Sequence, residues 1–221
     1  MSDQLPPPME WPKRGDSLFS GTDREDWLNA CVGWARGKPH GYVEGYRRAA
    51  MLVFKEVETK RAGMDSLVYP LSSLWRHAIE LQLKRIIRDS AVVLEDATSY
   101  PKHHLLEELW PAARARITKH GCAEDGPSEE TIEAIEAVDG VVAELVKIDS
   151  SATEFRYFEH KKGGATLQDA PELINLRQMN GVLYRVSNFL DCVQSTIAQE
   201  RDSKNEAMAL DYANQDPDDE P

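Results

Sequence analysis

The segment Phe155-Arg156-Tyr157-Phe158-Glu159-His160, followed by Lys161 and Lys162, is the most chemically loaded part of the chain. Arg156 offers a planar, permanently charged fork matched to phosphate, and His160 is the side chain most readily poised as acid or base near neutral pH. Together they are the equipment for cleaving RNA, with the 2′-hydroxyl as internal nucleophile. Tyr157, Lys161 and Lys162 accompany them as candidates for binding. The same residues have a plainer reading, in which Phe155, Tyr157 and Phe158 pack the loop and Arg156 pairs with a carboxylate such as Glu80.

A second group lies in the run WRHAIELQLK. Arg76, Glu80 and Lys84 follow one another at steps of four, so a helix places them on one face with alternating sign. They form either a solvated ion-pair ladder or, with His77, the rim of a polar groove. His103 and His104 stand about one turn before Glu107 and Glu108, a spacing open to a metal. A metal needs more ligands converging on one point, and no HExxH or comparable constellation is present, so the histidines read as capping or surface groups. No metal and no cofactor is expected. Phosphate-binding P-loops and GxSxG nucleophile elbows are missing too, and Gly163-Gly164 is a turn signal.

The elements that must carry these residues are helical. Thr22-Asp23-Arg24-Glu25 has the form of a capping box, and Trp27, Leu28, Cys31 and Trp34 recur behind it at helical spacing, so a first helix is predicted and is stopped by Gly37, Pro39 and Gly41. A second helix runs from Tyr42 with Tyr46, Ala49, Ala50, Val53 and Val57 on one face and ends at Gly63. Pro70 suits the first turn of a third helix that buries Leu74, Ala78, Leu81, Ile86 and Ile87. Leu105, Leu106, Leu109, Trp110, Ala113 and Ile117 define a fourth, which Pro111 should bend or restart. Ser128 caps a fifth, with Ile132, Ile135, Val138, Val142, Leu145 and Val146 inside. Asp169-Ala170-Pro171 opens a sixth that reaches about Glu200.

No alternating strand pattern of useful length occurs, so the expected class is all-α: a single bundle of about five to six helices over residues 21–200, with a flexible arm at 1–20 and an acidic, disordered tail at 201–221. The net charge of −12 argues against a surface that grips nucleic acid throughout, although about half of it sits in the tail, which leaves room for a local basic patch. The three scattered cysteines form no CxxC pair, so they read as reduced thiols in the cytoplasm. No leader and no apolar run of membrane-spanning length is seen, so no membrane association is expected.

The order YPLSSLWRHAIELQLKRII, HHLLEELW, DSSATEFRYF and a long last helix resembles the HEPN-like helical proteins of prokaryotes, over roughly residues 65 to 195. The resemblance implies a helical bundle that dimerises and acts as a metal-independent endoribonuclease in toxin, antiphage or RNA-guided defence. In such nucleases an Arg and a following His from each of two subunits meet at the dimer interface. Arg156 and His160 match that pair at a shorter spacing, with three residues between them. Other members lack the pair, and the resemblance then implies a non-catalytic module that binds a nucleotide or a partner protein, with Arg156 a structural or ligand-binding residue facing Arg76.

Overall fold

The computed structural model describes residues 11–16, 18, 29–33, 39–95, 101–120 and 127–214. The chain divides into two compact units, Met1–Gly37 and Lys38–Pro221. In the first, Lys13 and Asp16 close a turn, with the Lys13 amide donating to Asp16 Oδ2 at 2.7 Å, and Trp11 is exposed. The capping box at Thr22–Glu25 and Trp27, Leu28 and Trp34 lie outside the described residues. Asn29–Gly33, which are described, form no helix, and Cys31 and Val32 are exposed, so the predicted first helix does not continue through them.

The second unit is all-helical, with five helices among the described residues: α1 (Pro39–Lys60), α2 (Met64–Leu94), α3 (Leu106–His120), α4 (Glu129–Asp149) and α5 (Leu176–Asn214). Proline at the first helical position explains why α1 starts at Pro39 rather than Tyr42. Its buried stripe is Val43, Ala50 and Val57, so Ala50 and Val57 of the expected face are inside, while Val43 takes the place expected for Tyr42, which is exposed. Gly63, at φ 76, turns the chain into α2. An added Cβ there would come within 3.2 Å of Leu67, so both conformation and space require glycine. Because that turn seeds the helix, α2 begins ahead of Pro70 and carries it inside.

Helix α2 is the centre of the bundle: Leu71, Trp75, Ala78, Ile79, Leu83, Ile86 and Ile87 are all buried. It runs parallel to α5, and the register is fixed by polar pairs seven residues apart. Trp75 Nε1 donates to Asn180 Oδ1 at 2.9 Å, Gln82 Nε2 donates to the Ser187 carbonyl at 2.8 Å, and Gln194 Nε2 donates to Asp89 Oδ2 at 2.8 Å. Heptad spacing of buried polar pairs specifies axial alignment, because a slip would leave every one of them unpaired.

Pro111 neither restarts nor ends α3, which is continuous. Ser128 caps α4 as expected, its Oγ accepting from the Thr131 amide at 3.2 Å, although Ile132 faces outward. The cap of α5 is Asn175, whose Oδ1 accepts from the Gln178 amide at 3.0 Å. The helix therefore starts at Leu176, not near Asp169, and it continues past Glu200 to Asn214. No described helix is long and apolar enough to cross a membrane.

Candidate functional site

The site is assembled around Arg76, which projects from α2 and is 2% exposed. Its Nε donates to the Asp149 carbonyl at 3.1 Å, Nη2 to the His104 carbonyl at 3.0 Å and the Ser150 carbonyl at 3.2 Å, and Nη1 to Glu80 Oε2 at 3.3 Å. One guanidinium thus ties α2 to the entry of α3 and to the end of α4, where helix carbonyls lack intrahelical partners. Asp149 adds an ion pair at 3.5 Å, while its other oxygen accepts the amides of Thr153 and Glu154 at 2.8 and 3.0 Å. The loop after α4 is therefore shaped by the same residue that neutralises Arg76. Burial lowers the pKa of Arg76, Asp149 and Glu80 oppose the shift, and the charge of Arg156 adds to it.

Glu80, 1% exposed, is the second hub. Its Oε1 accepts from Lys84 Nζ at 2.9 Å and from His104 Nδ1 at 2.7 Å, and His77 Nδ1 lies 3.9 Å from Oε2. Burial opposes the charge of Glu80, but His77, Lys84 and His104 outweigh it and lower its carboxyl from the ordinary 4.5 to about 2. An ionised carboxylate only accepts hydrogen bonds, so the proton between them belongs to His104 Nδ1 and leaves Nε2 as the ring's acid-base nitrogen. The His104 side chain is 60% exposed. His77 is half-buried, with its ring set edge-on to Tyr46 at 4.4 Å between centroids.

These groups line one cleft of about 230 Å³, together with Ser73, Ala152 and Arg156. Among the described residues, Ser73 Oγ is buried with no hydrogen-bond partner. The lining sets Arg76 and Arg156 against Glu80 and Asp149, and Lys84, which is not part of the lining but donates to Glu80, tips the surroundings to a net positive charge that protonation of either histidine increases. An anion is the ligand this field favours.

Arg76, Glu80 and Lys84 are thus a buried network, not the solvated ladder of the alternative reading. Arg156 makes no pair with Glu80, whose oxygens are already occupied; its Nε donates to the Ala152 carbonyl and its guanidinium lies 6.0 Å from the Tyr157 ring centroid. His160 is not in this cleft. It faces Glu154, with Nδ1 3.5 Å from Oε1, and lines a separate cleft of about 270 Å³ with Lys147, Gly163 and Gly164. Tyr157, Lys161 and Lys162 are exposed on the loop that joins the two clefts. His103 turns to Glu108 at 3.5 Å, and no group of three or more potential metal ligands converges among the described residues. Sequence reasoning missed Tyr46, Ser73 and Asp149, and it left His104 as a cap or surface group.

Two expected results follow from this geometry. A carboxyl whose folded pKa lies below its unfolded value stabilises the fold fully above the unfolded value and loses that contribution as pH falls towards the folded one. For Glu80 the window runs from 4.5 down to about 2, and about 3 kcal/mol is at stake. Urea unfolding at pH 7, 4 and 3 should show the parent losing stability faster than Glu80→Gln. Ala152 holds φ 60, a left-handed conformation that costs a residue with a Cβ roughly 1 kcal/mol. Ala152→Gly should therefore raise the melting temperature slightly, and calorimetry checks it.

Compared with family models, curated proteins and solved structures, the chain has no match.

Proposed function

We propose that the chain is a HEPN-like RNA-binding protein of a prokaryotic defence or toxin-antitoxin type system, and that it cleaves RNA without a metal at the Arg76 cleft. The observation that carries this reading is the convergence of His104, His77 and Arg156 around one buried, triply hydrogen-bonded carboxylate. His104 Nε2 takes the proton from a 2′-hydroxyl, whose oxygen attacks phosphorus as the bond to the 5′-oxygen breaks. Arg156 meets the charge that grows on the phosphoryl oxygens, and His77 returns a proton to the leaving oxygen. The products are a 2′,3′-cyclic phosphate and a 5′-hydroxyl. The family resemblance adds a homodimer, and the three scattered cysteines suit a cytoplasmic setting.

The test is incubation of purified protein with single-stranded RNA in excess chelator, and with the same strand bearing 2′-deoxyriboses. Cleavage of the RNA to cyclic-phosphate ends, with the deoxy strand intact, supports the reading. Cleavage of neither strand contradicts it.

A second reading is favoured by the complete engagement of Arg76 with protein acceptors. An arginine so used holds the loops and contacts no ligand, which suits a non-catalytic module that binds a nucleotide or a partner protein through Arg156 and the histidines. Binding without cleavage in the same assay identifies it.

A further inference from the structure

The loop from Tyr157 to Thr166 is a small hairpin of fixed shape. Glu159 and Ala165 form an antiparallel bridge, the His160 amide donates to the Gly164 carbonyl at 3.0 Å, and Thr166 Oγ1 donates to the Tyr157 carbonyl at 2.7 Å. Gly163 and Gly164, at φ 87 and 96, supply the left-handed turn at its tip. On this scaffold Phe155 points into the protein and is buried, whereas Tyr157 is 59% exposed and Phe158 is 88% exposed. An ordered loop that buries one aromatic ring and presents the next two has put apolar faces where packing does not use them.

The charge around those rings is opposite to that of the chain. The protein carries −12 overall, yet residues 156–162 hold Arg156, Lys161 and Lys162 against Glu159 alone. Flat aromatic faces interleaved with cations are the equipment for stacking bases while neutralising phosphates. The surface is also positioned for this. Tyr157 and Phe158 follow Arg156 directly, within about 7 Å of chain, and Arg156 lines the cleft. That cleft, at about 230 Å³, lies below the roughly 300–1,000 Å³ of pockets that enclose a small-molecule ligand. It has room for a phosphate group, and an attached base must lie outside it.

We propose that the hairpin is a platform for single-stranded RNA, on which Phe158 and Tyr157 stack unpaired bases next to a phosphate held at Arg156, with Lys161 and Lys162 neutralising the following phosphates. The proposal rests on the reading of the Arg76 cleft as a phosphate site. A paired base is already stacked inside a helix and has no face to offer Phe158, so the platform selects unpaired strands.

The experiment is fluorescence anisotropy with a labelled 2′-O-methyl RNA single strand, which lacks the internal nucleophile and so reports binding independently of cleavage. The same strand annealed to its complement is the second probe. Phe158→Ala should weaken single-strand binding about tenfold and Phe158→Tyr should stay within about twofold of the parent, while the parent binds the duplex about tenfold more weakly than the single strand. Because Phe158 is exposed, a melting curve for each variant should match the parent. Equal binding by parent and Phe158→Ala, equal affinity for single strand and duplex, or no binding by the parent overturns the platform. Arg156→Ala reads the cleft separately: if it binds like the parent while Phe158→Ala is weakened, the platform stands and the phosphate reading of the cleft falls.

Discussion

Replacing Arg76 with alanine is expected to lower stability by about 3–5 kcal/mol, the largest loss of any single substitution in the site. The reason is the charge left behind. Glu80 and Asp149 are 1% and 2% exposed, and without the guanidinium Asp149 would be a buried carboxylate with no cation beside it. The carbonyls of His104, Asp149 and Ser150 would lose their donor as well. For a unit of this size that corresponds to a fall in melting temperature of about 10 °C, read by calorimetry. A double-mutant cycle sharpens the test. Arg76→Met with Glu80→Leu should cost less than the sum of the single changes, because each single change already loses the Arg76–Glu80 contact and the double change loses it only once. Additive losses would show that Arg76 and Glu80 do not couple.

The second large effect is on chemistry. His104→Ala should reduce RNA cleavage by about 10²–10⁴-fold, the range for losing a general acid or base. Its fold should suffer little, since the ring is 60% exposed and Arg76 contacts the backbone carbonyl of His104, which the substitution keeps. His104→Gln separates roles further, because it retains a hydrogen bond to Glu80 but cannot exchange a proton near neutral pH. If the Gln variant cleaves as poorly as the alanine variant, the imidazole acts on substrate. If it regains the parent's rate, His104 only positions Glu80.

Much of the architecture was legible from periodicity, because each described helix buries a stripe that recurs at three and four residues. The errors fall where a local signal competed with a stronger one nearby. Pro70 and Pro171 both fit a helix start by type, yet the left-handed turn at Gly63 nucleates α2 earlier and the side-chain cap of Asn175 starts α5 later. Nor did the helical spacing of Tyr42 show which way α1 would rotate against α2. That choice belongs to packing between helices and is invisible in one segment.

The site was half legible. The alternation Arg76, Glu80, Lys84 announced mutual pairing, but its burial is decided by His104 and Asp149, which are distant in sequence and meet α2 only in the fold. For the same reason His104 looked like a surface group: the carboxylate that orients it comes from another helix. Arg156 and His160 looked like partners because they are near in sequence. The turn at Gly163 and Gly164 and the pull of Glu154 carry His160 to the other cleft. For Asp149 a signal existed, since an Asp at the end of a helix can accept the amides of the next turn through its side chain, as it does from Thr153 and Glu154, but nothing in the sequence tied that turn to Arg76.

The most direct test of the central claim, that one chain's Arg76 cleft does the chemistry, compares His104→Ala with His160→Ala in chelator-treated RNA cleavage, with melting curves alongside. The account predicts that His104→Ala is inactive and folded while His160→Ala cleaves at close to the parental rate. Activity retained in His104→Ala and lost in His160→Ala would contradict it and move the chemistry to the Arg156 and His160 pair.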